Sequence, residues 1–99
     1  MLDVSNVFLI ISDQDSYFQA GKGRFCSESD GKIISSANEC KNAAKLLGIR
    51  FARTENNPNT QTGCNFYWSE IRLNTNPQNT RNPSASPLCQ KGEVIDNVI

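Results

Sequence analysis

The chain has 99 residues, with ten basic and ten acidic side chains and no histidine, so its formal net charge is zero. That length holds one domain with a small core. Neutrality argues against a nucleic acid or an anionic membrane surface as partner, since either calls for a broadly cationic face, and the missing histidine removes Ser/His/Asp and Cys/His nucleophile systems.

Residues 2–12 read as a strand. Val7, Phe8, Leu9, Ile10 and Ile11 form a continuous apolar run, long enough for a strand but too short for a helix or a membrane span. A run apolar on both faces needs cover on both sides. A central strand is the expectation, and pairing with another chain is the alternative. Met1, Leu2 and Asp3 lack a basic leader region, and the apolar run is short for a secretion signal. The expectation is a leader already removed, or a domain excised from a longer protein. Asp13, Gln14, Asp15 and Ser16 begin like a calcium loop. Phe18 then stands where the loop needs glycine, and Arg24 where it needs glutamate. No metal and no cofactor is therefore expected. Tyr17, Phe18, Gln19 and Ala20 suggest a short strand. Gly21, Lys22, Gly23 and Arg24 form a turn without the ending of a phosphate loop, and residues 27–32 form another.

The stretch from 36 to 73 organises the chain. Ser36, with Glu39 three residues on, is a capping box. Cys40, Ala43, Ala44 and Leu47 follow at the spacing of one helical face. Gly48 stands at the helix end, where the left-handed conformation favours glycine. Ile49, Phe51 and Ala52 open an extended segment, which a polar loop over 56–63 closes. Cys64, Asn65, Phe66, Tyr67 and Trp68 are dense in strand-forming aromatics. A cysteine on the buried face of a short helix thus faces a cysteine that starts a strand, which suggests a disulfide from helix to sheet. Residues 64–67 and 70–74 read either as a tight hairpin through Trp68 and Ser69 or as one long strand with a bulge. Residues 75–87, with three prolines, read as an irregular surface segment pinned by Cys89. Its serines and threonines could carry O-linked sugars. No N-glycosylation is expected, because Asn82 is followed by Pro83. Residues 94–99 suggest a final strand, partnered by residues 2–11.

The four cysteines, Cys26, Cys40, Cys64 and Cys89, include no close pair of the kind that structural zinc sites use. Wide spacing and an even number fit two disulfides, with three pairings open. The compartment expected from them is extracellular or cell-surface.

The block from Cys26 to Cys89 resembles a PAN/apple-type module. Glu39-Cys40 followed by Ala43-Ala44 matches the family's helix. Ile49, Arg50, Phe51 and Ala52 match the strand after it, and Gly63-Cys64-Asn65-Phe66-Tyr67 match the strand that bears the partner cysteine. The pattern is also similar to small cysteine repeats in surface proteins of protists, algae and marine invertebrates. The resemblance implies a helix packed across a small antiparallel sheet, one disulfide from helix to strand, and an outer disulfide tying the ends. The expected fold is accordingly α+β, one short helix on a small antiparallel sheet. The expected pairings are Cys40–Cys64, with small Ala43 and Ala44 allowing close approach, and Cys26–Cys89, closing the block. A single domain is expected, with an N-terminal strand region at 1–18, the apple-like block at 19–90 and a C-terminal strand at 91–99.

The carboxylate pairs Asp13/Asp15 and Glu28/Asp30 fall in polar turns where nothing would raise a pKa for acid catalysis. Lys41, Lys45 and Arg50 suit the wet face and end of the helix. Tyr67 and Trp68 are adjacent and on a strand would point to opposite faces. The expectation is that both pack in the core or beneath a loop. The alternative is a sugar platform formed by an exposed aromatic, with Arg53 and Asn65 beside it. The family resemblance implies recognition of protein or carbohydrate without catalysis. The expected function is thus a non-catalytic extracellular module for adhesion, recognition or surface assembly, with a protein or glycan ligand and no membrane insertion. The alternatives are a filament or lattice subunit that self-associates through Val7, Phe8, Leu9, Ile10 and Ile11, and a small secreted effector or inhibitor.

Overall fold

The computed structural model describes residues 16–92. The strands expected at 2–12 and 94–99, and the pair Asp13/Asp15, lie outside the described residues.

Among the described residues the one α-helix, α1 (Ala37–Leu47), starts at the expected Ser36 cap and ends at the expected Gly48. The Ser36 hydroxyl accepts the Glu39 N–H at 3.1 Å, satisfying one donor that a helix start leaves open. At the other end Gly48 takes φ 74°. Its N–H bonds to the Lys45 carbonyl at 3.1 Å, and the Ile49 N–H reaches back to Ala44 at 3.0 Å. This double closure satisfies the last carbonyls and turns the chain out of the helix. Cys40, Ala43 and Ala44 are buried, but Leu47 is 42% exposed. The expected four-residue face therefore stops at Ala44: the core ends there, and the last turn, carrying Leu46 and Leu47, stands outside it.

Among the described residues six strands form one sheet: β1 (Tyr17–Gln19), β2 (Gly31–Ile33), β3 (Phe51–Glu55), β4 (Gly63–Tyr67), β5 (Glu70–Asn74) and β6 (Ser86–Lys91). The order is β1-β6-β4-β5-β3, with β2 also paired to β6. The sheet is antiparallel except at one edge, where β3 runs parallel to β5. An all-antiparallel sheet would need β3 beside β4. Instead the connection over 56–62 carries the chain past one strand position, and the returning β5 fills the gap between β3 and β4. β2 occupies residues read as a turn, and β6 begins inside the segment read as irregular. Pro87 is tolerated in a central strand because its carbonyl accepts the Ala20 N–H at 2.7 Å, while its missing N–H leaves no donor to satisfy.

The core lies between α1 and the sheet. Ile34, Cys40, Ala43, Ala44, Cys64, Ile71, Leu73 and Leu88 are all buried there, with Phe51 and Phe66 packed against them. Both expected disulfides are present: Cys40–Cys64 with Cα atoms 5.5 Å apart, and Cys26–Cys89 at 5.6 Å. They belong to an oxidising compartment. Cys89 lies in a second, smaller core with Ala20 and Cys26, against Phe18. Gly63 opens β4 at φ 103°, and a Cβ there would stand 2.6 Å from an Ile33 methyl. That junction, where β2 and β4 abut along β6, admits only glycine.

A second interior is polar. Thr60, Gln61, Asn65 and Asn74 are each 1% exposed or less. The Asn74 amide donates to the carbonyls of Asn57, Thr60 and Gln61, and its oxygen accepts the N–H groups of Asn57 and Asn76. The Gln61 amide reaches the carbonyls of Arg24 at 3.1 Å and Asn82 at 3.2 Å, and its oxygen accepts the Asn82 N–H. The loops over 56–62 and 75–85 are thereby hydrogen-bonded into one layer, in place of the apolar contacts that so short a chain cannot supply.

Candidate functional site

The β4–β5 hairpin decides between the two sequence readings. Tyr67 pairs with Glu70, so Trp68 and Ser69 form a two-residue turn. Both have positive φ, 55° and 66°, as a type I′ turn requires. Neither is the Asn or Gly that adopts this conformation readily. Trp68 is 72% exposed, so the expectation of two packed aromatics fails for it: its place is the turn, where neither face of the sheet can cover it. Tyr67 is half-buried. Its ring meets the Trp68 ring edge-on, with centroids 5.7 Å apart and planes at 62°, a favourable aromatic arrangement. The Asn82 amide, and then the Trp68 indole, hold the Tyr67 hydroxyl below the usual phenol pKa.

A cleft of about 270 Å³ opens beside this pair, lined by Lys22, Phe66, Tyr67, Trp68, Ser69 and Ser84. Lys22 comes from the turn after β1, and Ser84 from the loop before β6. Lys22 is exposed and makes no ion pair among the described residues. The polar interior positions this wall of the cleft: Gln61 fixes Arg24 and Asn82, and the Asn82 oxygen accepts the Ser84 N–H at 2.9 Å.

On the other flank of the hairpin three arginines converge on Glu70. Arg50 Nη2 donates to its Oε1 at 2.8 Å, and Arg53 Nη1 and Arg72 Nε donate to its Oε2 at 3.3 and 2.8 Å. The hydrogen bond from Arg72, helped by the charges of Arg50 and Arg53, lowers the Glu70 pKa. Arg72 also pairs with Glu55 at 3.5 Å and stands over the Tyr67 ring at 5.0 Å, which ties this charged group to the aromatic pair.

Of the residues expected at a platform, Tyr67, Trp68 and Arg53 are grouped around the hairpin. Asn65 is not a surface residue. It is 1% exposed and its amide donates to the carbonyls of Gln61 and Gly63 at 2.8 and 3.1 Å. The alternation of the strand turns it toward the polar interior beneath the loops. Lys22, Ser84 and Arg50 escaped the sequence reading of the site, because they reach it from segments far apart in the chain, and Ser69, beside Trp68 in the turn, was read only as a turn residue. Trp68 itself carried the one available signal, as a large aromatic at the centre of a candidate turn.

Comparison with family models, with curated proteins and with solved structures gives no match to this chain.

Proposed function

We propose that the domain is a non-catalytic extracellular recognition module, of the adhesion or surface-assembly kind, that binds a carbohydrate chain at the β4–β5 hairpin. Trp68 carries this reading. A solvent-facing indole costs hydration free energy, and here it is held out on a turn whose backbone suits other residues better. Strain of that kind persists where the surrounding structure enforces it, and it clusters at ligand sites. A flat apolar ring stacks on the apolar face of a pyranose, while the hydroxyls of Ser69 and Ser84 are placed to bond sugar hydroxyls. The two disulfides fit an extracellular or cell-surface location, and the resemblance to PAN/apple modules, which recognise ligands without catalysis, agrees with it.

A glycan array probed with the wild-type domain and with Trp68→Ala is the test. Binding to a defined set of glycans is expected, lost by at least tenfold in the variant, in line with removal of a stacking anchor worth ~1.5 kcal/mol or more. Undiminished binding by Trp68→Ala would remove the platform. Turnover of any bound glycan by the pure domain would overturn the non-catalytic reading.

A further inference from the structure

The distribution of charge around the hairpin says which saccharides it suits. Four cations, Lys22, Arg50, Arg53 and Arg72, stand around it against two carboxylates, Glu55 and Glu70. The chain as a whole is neutral, so this end carries a local surplus of two positive charges. Arg72 is spent within the fold: its side chain is 13% exposed and lies between Glu55 and Glu70. Arg50 and Arg53 differ. Their side chains are 71% and 55% exposed, and each gives one nitrogen to Glu70. A guanidinium has five N–H donors, so both present unused donors to solvent. One carboxylate cannot neutralise the three guanidinium groups that converge on it.

We infer that the ligand is an acidic saccharide, a chain of pyranose rings bearing carboxylate or sulfate groups, with one ring on Trp68 and its anions paired to Lys22 on one flank and to Arg50 and Arg53 on the other. This rests on the carbohydrate reading above. The strand order places the two cationic flanks on opposite sides of the hairpin. Lys22 follows β1, which lies beyond β6, whereas Arg50 leads into the edge strand β3 and Arg53 lies on it. β6 and β3 stand three strand intervals apart, roughly 14 Å. That span asks for an oligosaccharide crossing the hairpin and exceeds a single ring. Among the described residues that line the cleft Lys22 is the only charged side chain, set against three aromatic rings. An ammonium beside an apolar wall attracts an anion more strongly than it would in open water.

The test uses polymers matched except for charge: dextran against dextran sulfate, and polygalacturonate against its methyl ester. Affinities are measured at low and physiological salt for the wild-type domain, Lys22→Ala, the double variant Arg50→Gln/Arg53→Gln, and Trp68→Ala. At least one acidic polymer is expected to bind about tenfold or more tighter than its neutral partner, and which one does so identifies the anion as sulfate or carboxylate. Lys22→Ala and the double variant should each lower that affinity by about tenfold, the effect of losing one or two charge-assisted contacts, and lower neutral binding by distinctly less. Trp68→Ala should lower both. Equal binding of acidic and neutral partners would overturn the inference while sparing the carbohydrate reading. Acidic binding indifferent to Trp68→Ala would also overturn it, by showing simple ion exchange. Failure of every polymer would overturn both.

Discussion

Trp68 and Ser69 place stability and recognition in opposition at adjacent residues. Each non-glycine residue in the left-handed region costs on the order of 1 kcal/mol, and a type I′ turn is served best by Asn-Gly. Ser69→Gly relieves the strain at φ 66° without touching the indole. It is expected to stabilise the domain by about 0.5–1 kcal/mol and, having lost the Ser69 hydroxyl, to bind glycan more weakly than the wild type but better than Trp68→Ala does. Trp68→Asn combined with Ser69→Gly should stabilise it further and abolish binding. Urea denaturation together with the glycan measurement checks both. A double variant no more stable than the wild type would show that the turn stores no strain. At this scale Cys40, Ser36 and Gly48 were legible in the sequence, because a helix cap and a buried helical position are set by neighbours within one or two turns. Asn65 and Asn74 were not. Asparagine in a loop and asparagine at the hub of a buried network look alike along the chain, and only the tertiary contacts separate them.

Among the elements, the loop over 75–85 is the one on which the cleft wall depends, and its far anchor is Arg81. The Arg81 guanidinium grips Glu28 through two nitrogens, at 3.2 and 2.9 Å, donates to the Gly23 carbonyl and lies over the Phe25 ring at 4.4 Å. The loop is thus tied to the 3-10 turn at Cys26–Ser29 and to the turn that carries Lys22. The hydrogen bond from Arg81, followed by that from the Phe25 N–H, pulls the Glu28 carboxyl from 4.5 down to about 2. A carboxyl with a lowered folded pKa is protonated more readily in the unfolded chain, so its contribution is complete above pH 4.5 and disappears as the pH falls to about 2. Glu28→Gln is expected to be less stable than the wild type at neutral pH, to lose less on acidification across that window, and to converge with it near pH 2. Denaturant midpoints measured from pH 7 to 2 check this, and parallel curves would show that the pair contributes nothing. Glu70, lowered by Arg72, keeps some acid sensitivity in the variant. The partition into elements was legible for α1, β1, β3 and the tight hairpin, one of two readings that residues 64–74 left open. β2 and β6 were hidden, because three residues beside Gly31 and a strand containing Pro87 give no alternating pattern. The parallel edge was hidden because strand order depends on where a loop lands, and no local signal encodes that.

For the whole molecule, the disulfides decide whether so small a core holds. The two cysteine pairs lie 24 and 63 residues apart in the chain. By loss of chain entropy in the unfolded state they contribute on the order of 3 and 4 kcal/mol, comparable to the entire stability of many domains of this size. They act on different interiors. Cys40–Cys64 joins α1 to β4 inside the apolar core, where Cys40 is 0% and Cys64 1% exposed. Its loss removes both the cross-link and part of the packing beneath Ala43 and Ala44. Cys26–Cys89 closes the smaller cluster with Ala20 and Phe18, at the centre of β6 and away from α1. Cys40→Ala is therefore expected to unfold the domain near body temperature. Cys40→Ala combined with Cys64→Val, which refills the volume next to Phe66 and removes the unpaired thiol, should recover part of the loss. Cys26→Ser with Cys89→Ala should give a domain that keeps the helical signal but loosens around β1 and the Lys22 turn. Thermal melts followed by circular dichroism, with amide exchange to locate the loosening, measure all three. Uniform loss of exchange protection on removing Cys26–Cys89 would show that the two interiors fold as one unit. Protection retained across α1, β4 and β5 would show that the inner bridge alone sustains the sheet that carries Trp68.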